Sequence, residues 1–143
     1  MRNFTPKIID RKIRFALVGC GRIAKNHFAA IKQHADRAEL VGVCDTDGKA
    51  LAAAFENTCA KPFSSLSEMI SGSEADVVVL TTPSGLHPEQ TIQLAKAGQH
   101  VMTEKPMATQ WQNGKRMVQA CDEAAVRLFV VKQNRHNATL QLL

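Results

Sequence analysis

Apolar residues fall into short runs separated by longer amphipathic stretches. Five runs read as strands: Ile13 to Val18, Glu39 to Cys44, Asp76 to Leu80, His100 to Thr103 and Arg127 to Val131, with a weaker sixth around Pro62 and Phe63. They are rich in β-branched residues, and Val77-Val78-Val79-Leu80 is unbrokenly apolar, the form expected of a strand covered on both faces. Between them the period is helical over Ile23 to His34, Lys49 to Glu56, Leu66 to Ile70, His87 to Ala97 and Gln110 to Ala124. Strand and helix alternate throughout, so the predicted class is α/β, a doubly wound parallel sheet of βαβ units. The punctuation agrees. Pro88 suits a first helical turn, Gly98 a C-terminal cap, and Asp45-Thr46-Asp47 supplies capping oxygens before an Ala-rich helix.

With 143 residues, 45% hydrophobic and 22% charged, the chain is expected to build one globular domain around one core. No run approaches the ~20 apolar residues that span a bilayer, and the stretch from Met1 to Arg14 is polar and broken by Pro6. Neither a membrane segment nor a signal peptide is expected, and the predicted location is cytoplasmic. Cys20, Cys44, Cys59 and Cys121 are scattered without a Cys-x-x-Cys pair, so reduced thiols and no metal site are expected. The net charge of +5 is concentrated at one end: residues 1 to 14 hold Arg2, Lys7, Arg11, Lys12 and Arg14 against Asp10, which leaves 13 basic and 12 acidic groups elsewhere. A nearly neutral body with a short basic tail lacks the broad cationic face that nucleic acids require, and no nucleic-acid partner is expected.

The organisation read from the chain is a basic tail over 1–12, a domain over 13–135 and, over 136–143, the opening of a further helix with Asn137 as its cap. That last helix stops after a few residues, as though the sequence were cut. Its Leu140, Leu142 and Leu143 would suit self-association as a homo-oligomer, or would fray.

The strongest local signal is Gly19-Cys20-Gly21-Arg22-Ile23-Ala24, a Gly-x-Gly-x-x-Ala placed directly after a strand and at the opening of a helix. Gly19 permits the tight turn, Gly21 lets backbone approach a pyrophosphate, and Ala24 keeps helix and strand close. A second strand then ends in Asp45, about 20 residues on, where a carboxylate reads the adenosine ribose. The order of these parts is that of a Rossmann fold holding a dinucleotide. An anion at Asp45 would repel a 2′-phosphate and so favours NAD over NADP, although Arg22 and Lys25 lie near enough to leave room for the phosphorylated form. Two structural readings stand beside these: Asp45 as a helix cap, and Arg22 as a solvated first-turn charge.

In a doubly wound sheet the crevice opens at the carboxyl ends of the strands. The loops Thr81-Thr82-Pro83-Ser84-Gly85-Leu86-His87, Glu104-Lys105-Pro106 and Lys132-Gln133-Asn134-Arg135 should line it. Lys105 precedes a proline that is a candidate for the cis form, and would be aimed into the cleft as an ammonium able to hold a hydroxyl, or to deprotonate one if neighbours lower its pKa. On spacing alone, a lone lysine there reads more simply as surface.

With Val43-Cys44-Asp45, Thr82-Pro83-Ser84-Gly85-Leu86-His87 and Thr103-Glu104-Lys105-Pro106-Met107-Ala108 added to the glycine turn, the chain resembles, over residues 13 to 143, the N-terminal domain of the Gfo/Idh/MocA oxidoreductase family. Within that family it is similar to the WlbA-type enzymes, which oxidise the 3″-hydroxyl of UDP-N-acetylglucosaminuronic acid with NAD in bacterial surface-polysaccharide synthesis. The resemblance implies that Lys105 lies in the active site and assists removal of the hydroxyl proton. It also implies a cofactor site made of Gly19, Gly21, Arg22, Ile23, Asp45, Thr82, Pro83, His87, Glu104 and Lys105. Family members add a second α/β domain with a large open sheet, which supplies a histidine and most of the sugar pocket. This chain is expected to lack it, and to bind NAD without turning over a nucleotide sugar alone. His87 reads as a helix-start residue near the cofactor and His136 as a linker residue, not as that missing histidine. Two other readings are an NAD(H)-binding or sensing module without catalysis and a methyltransferase-like domain; Glu104-Lys105-Pro106 argues against the second.

Overall fold

A computed structural model describes residues 8–141, leaving aside the side chains of His136, Ala138 and Leu140. Arg2 and Lys7 of the basic tail, with Leu142 and Leu143, lie outside the described residues, as do the side chains of His136 and Leu140. Six strands alternate with helices: β1 Ile13–Val18, α1 Ala24–Gln33, β2 Ala38–Cys44, α2 Gly48–Thr58, β3 Lys61–Phe63, α3 Leu66–Gly72, β4 Val77–Leu80, α4 His87–Lys96, β5 His100–Thr103, α5 Trp111–Glu123 and β6 Leu128–Val130. A 3-10 turn over Gln133–His136 and a short α6, Ala138–Gln141, follow. All ladders are parallel, in the order β3-β2-β1-β4-β5-β6. The order reverses between β1 and β4, and that switch point is where such a sheet holds its ligand.

Strict alternation along the central strands divides the core in two. Ala16 and Val18 of β1 join Val78 and Leu80 of β4 on one face, under Met69 of α3 and Leu94 of α4. Leu17 and Val79 point the other way, against Ala24 and Phe28 of α1. Val43 of β2 meets Ala54 of α2 on that second side. β4 is buried at all four positions, which accounts for its unbroken apolar sequence. β3 is weak because Pro62 offers no amide, a deficit tolerable on an edge strand such as this one.

The caps are local and legible. Asp47, rather than Asp45, caps α2 by accepting from the Lys49 amide at 2.9 Å. Ser65 caps α3 by accepting from the Glu68 amide, and the Glu68 carboxylate reaches back to the amide and hydroxyl of Ser64, a reciprocal arrangement that fixes the first turn. Gly98 takes φ +78 just past α4, as a helix stop requires. Asn137 accepts from the Thr139 amide at 3.0 Å, matching its reading as a cap.

At the amino end of the sheet, Asp76 ties the entry of the chain to β4. Its carboxylate accepts two hydrogen bonds from the Arg11 guanidinium, at 2.7 and 2.8 Å, and one from the Arg14 amide at 2.8 Å. Burial alone pushes this carboxyl up, but those bonds and the two guanidinium charges outweigh it and leave the group below its ordinary value. The contribution to stability is therefore complete above the ordinary carboxylate range and is lost as pH falls through the lowered value. Asp76→Asn should cost about 1–2 kcal/mol at neutral pH, and the difference in melting temperature from the parent should close on acidification. A difference that grows in acid would contradict this account.

Candidate functional site: the crevice at the switch point

β1 leaves the sheet at Gly19, whose φ of +94 is open to glycine and strained for other residues. A Cβ there would stand 2.8 Å from the Thr82 amide nitrogen and 2.9 Å from the Thr81 carbonyl carbon. Backbone meets backbone, so nothing can give way. Thr81 completes the join: its amide donates to Val18 O at 2.9 Å, and its hydroxyl is shared between the carbonyls of Val18 and Gly19. Gly21 differs, since a Cβ there would find nothing within 4 Å. The amides of Gly21, Arg22 and Ile23 donate to no backbone carbonyl among the described residues, and no side chain caps α1 or places an acid in its first turn. Uncommitted amides, the positive end of a helix and open space above Gly21 together fit a diphosphate. Ala24 is fully buried against Leu17 and Val79, which holds the helix to the sheet.

Asp45 secures the turn from the other side. One carboxylate oxygen accepts from the Cys20 amide at 2.7 Å and the other from the Asp47 amide at 2.8 Å. A carboxylate has about four acceptor positions, so two remain for ribose hydroxyls. Of the two readings of Asp45, the helix cap is corrected: Asp47 takes that role, and Asp45 braces the glycine turn and its own loop. Burial, followed by the Asp45 and Cys44 charges, pushes the Cys20 thiol up to about 12. Cys44 and Cys121 are raised to about 11, chiefly by burial. These thiols are not nucleophiles at neutral pH. Among the described residues no cluster of three His, Cys, Asp or Glu side chains stands ready for a metal ion.

The β4–α4 and β5–α5 loops form the opposite wall. His87 is buried, its Nε2 2.9 Å from Thr82 O and its Nδ1 3.2 Å from Pro106 O, so the ring joins one loop to the other. The Thr82 hydroxyl donates to Gln90 Oε1 at 2.6 Å. The Lys105-Pro106 peptide is cis, in accord with the sequence. A cleft of about 470 Å³ runs between Ile23, His27, Thr82, His87, Glu104 and Lys105. Lys105 also borders a second cavity, about 570 Å³, with Lys132, Gln133, Asn134 and Arg135. Pro83 is exposed on its loop and does not line either cavity; Arg22 is exposed at the start of α1. A larger cavity, about 740 Å³, is an apolar groove along α5 bounded by Met107, Trp111 and Val118; none of the predicted cofactor or catalytic residues lines it.

Three contributors to the cleft, His27, Asn26 and Ala30, are not singled out in the sequence. His27 places Nε2 2.8 Å from Glu104 Oε1, and Asn26 and Ala30 line the same wall. The available signal was spacing: Ile23, His27 and Ala30 are four and three residues apart, one face of a helix that begins at the glycine turn.

The oxidoreductase family described as having an NAD-binding Rossmann fold, Gfo/Idh/MocA, matches residues 13–132. The chain belongs to the Gfo/Idh/MocA family. The WlbA dehydrogenase of Chromobacterium violaceum, solved with NADH and UDP-GlcNAcA, superposes with a TM-score of 0.95 at 64% identity, covering 96% of this chain and 40% of that one. The Bordetella pertussis WlbA dehydrogenase, also solved with NADH and UDP-GlcNAcA, gives 0.94 at 69% identity, covering 95% of this chain and 41% of its own. The 1,5-anhydro-D-fructose reductase of Ensifer adhaerens is 35% identical over 125 residues, 86% of this chain and 36% of the reductase. The chain thus spans about two-fifths or less of the relatives it matches, and the part it spans is the family's NAD-binding domain.

The two glycines of this Gfo/Idh/MocA domain should respond differently to a methyl group. Gly19→Ala should destabilise the fold by about 2–4 kcal/mol, through strain and the clash with Thr82. Gly21→Ala should melt within about 1 kcal/mol of the parent and lose NAD affinity, because its methyl meets only the space assigned to the diphosphate. Calorimetric titration and thermal melts read the two effects separately; unimpaired NAD binding by Gly21→Ala would displace the diphosphate from this turn.

Proposed function

We propose that this domain holds NAD for a dehydrogenase acting on a UDP-linked uronic acid, oxidising C3 of UDP-N-acetylglucosaminuronic acid. The observation that carries the reading is the position of Lys105, which borders both the cleft beneath the switch point and a cavity bounded by Lys132 and Arg135. A hydroxyl between the two would face a lysine on one side and the dinucleotide on the other, while cations beyond suit a carboxylate or diphosphate. The 64–69% identity to dehydrogenases solved with NADH and UDP-GlcNAcA supports the same substrate class.

The residues divide the work by position. Gly19 permits the turn from which Gly21 and Ile23 present backbone to the diphosphate, with Arg22 beside them; Asp45 takes the adenosine ribose; Thr82, Pro83, His87, Glu104 and Lys105 belong to the loops around the nicotinamide half. Bound nicotinamide supplies the two-electron acceptor that no side chain can provide. Lys105 holds the reacting hydroxyl and takes its proton as the carbonyl forms. The remaining walls of the sugar pocket come from the additional length present in the relatives.

NAD at about 100 times its dissociation constant should add about 2.7 kcal/mol of apparent stability, seen as a thermal shift, with NADP giving less. Asp45→Ala should narrow that difference. An equal or larger shift with NADP would remove Asp45 as the selector. When the chain is extended to the full length of its relatives, UDP-N-acetylglucosaminuronic acid should drive NADH formation, and Lys105→Ala should slow it by about 100-fold with NAD affinity little changed. Undiminished turnover would take Lys105 out of the chemistry.

A further inference from the structure

Glu104 is held from three directions. Its amide donates to Leu80 O at 3.0 Å, which fixes its backbone to β4. The carboxylate, 13% exposed, accepts from His27 Nε2 at 2.8 Å through one oxygen and from the Lys105 amide at 3.2 Å through the other. His27 is itself only 15% exposed and stands one helical turn beyond Ile23, whose free amide borders the diphosphate position. The helix that offers its first amides to the diphosphate thus reaches across the cleft and grips the loop that bears Lys105.

We propose that His27 is a positioning residue for the nicotinamide half of the site. By donating to Glu104 it sets the direction of the carboxylate, and the carboxylate in turn sets the backbone of Lys105. A carboxylate this sheltered needs a donor to hold one orientation. Without one it turns toward water and releases the Lys105 amide. Asp45 and the glycine turn lie on the other side of the switch point, so the adenosine half is untouched by the change. The proposal rests on the NAD-binding reading and adds to it a residue whose effect is confined to one end of the dinucleotide.

The test uses two ligands that share adenosine, ribose and diphosphate: NAD and ADP-ribose, which lacks the nicotinamide. His27→Leu retains bulk and removes the donor, whereas His27→Gln places an amide N–H where Nε2 stood. Titration calorimetry should show His27→Leu weakening NAD by about tenfold with ADP-ribose within about twofold, and His27→Gln restoring NAD. In ligand-free protein, the Lys105 amide resonance should move in His27→Leu and return in His27→Gln. Equal losses for both ligands, unchanged NAD affinity, or a stationary Lys105 amide would each overturn the proposal. A parent protein that binds neither ligand would overturn the cofactor reading itself, a result distinguishable from failure of the His27 variants alone.

Discussion

At the centre of the molecule the backbone after β1 lies against the backbone after β4, with the Gly19 position 2.8 Å from the Thr82 nitrogen by its missing Cβ. Two parallel neighbours whose chains leave in opposite directions must part there, and the glycine turn occupies the gap between them. Had Gly19 carried a side chain, the β4–α4 loop would have to retreat. His87 would then lose its carbonyl at Thr82, and Pro106 would lose its link through that ring. The position of the lysine loop therefore depends, through two short steps, on the smallness of one residue in the first turn. Among the described residues neither a disulfide nor a metal-ready cluster of side chains takes part in that placement.

Most of the fold was legible because the signals that define it are local. β1 and β5 fall where the apolar runs place them, and β4 within one residue. The helix stop at Gly98 needs only its neighbours in sequence. Differences cluster where tertiary contacts decide: α1 begins at Ala24 rather than Ile23, since Ile23 is the last residue before the helix and leaves its amide free, and β6 contracts to Leu128–Val130, the stretch paired with β5. Pro62 illustrates the same division. Its ring weakens any local strand signal, and only the pairing with Val43 makes it one.

The site was less evenly legible. Gly19, Gly21 and Asp45 announce themselves because the motif is contiguous and its spacing encodes a turn, a helix start and a strand end. Lys105 was different: spacing left it a surface lysine, and resemblance through Glu104-Lys105-Pro106 moved it into the cleft it now lines. His27 carried no comparable signal, because its partner is 77 residues away in the chain. Nor could sequence separate Asp45 from Asp47 as the cap. Either has the chemistry, and only the path of the loop decides which carboxylate meets the Lys49 amide.

The division between what this domain completes and what it borders follows from the same geometry. A dinucleotide is long and polar, and the parts that suit its adenosine and diphosphate here are backbone amides and one braced carboxylate, supplied by the turns after β1 and β2. Those groups are set by the packing of the sheet and need nothing further. Lys105, by contrast, is exposed and joins two cavities. The groups that suit the cofactor and the lysine that borders both cavities therefore belong to different parts of the polypeptide, the first to the turns at the switch point and the second to the loop after β5. That separation is in keeping with a family in which WlbA dehydrogenases and an anhydrofructose reductase match the same Rossmann domain.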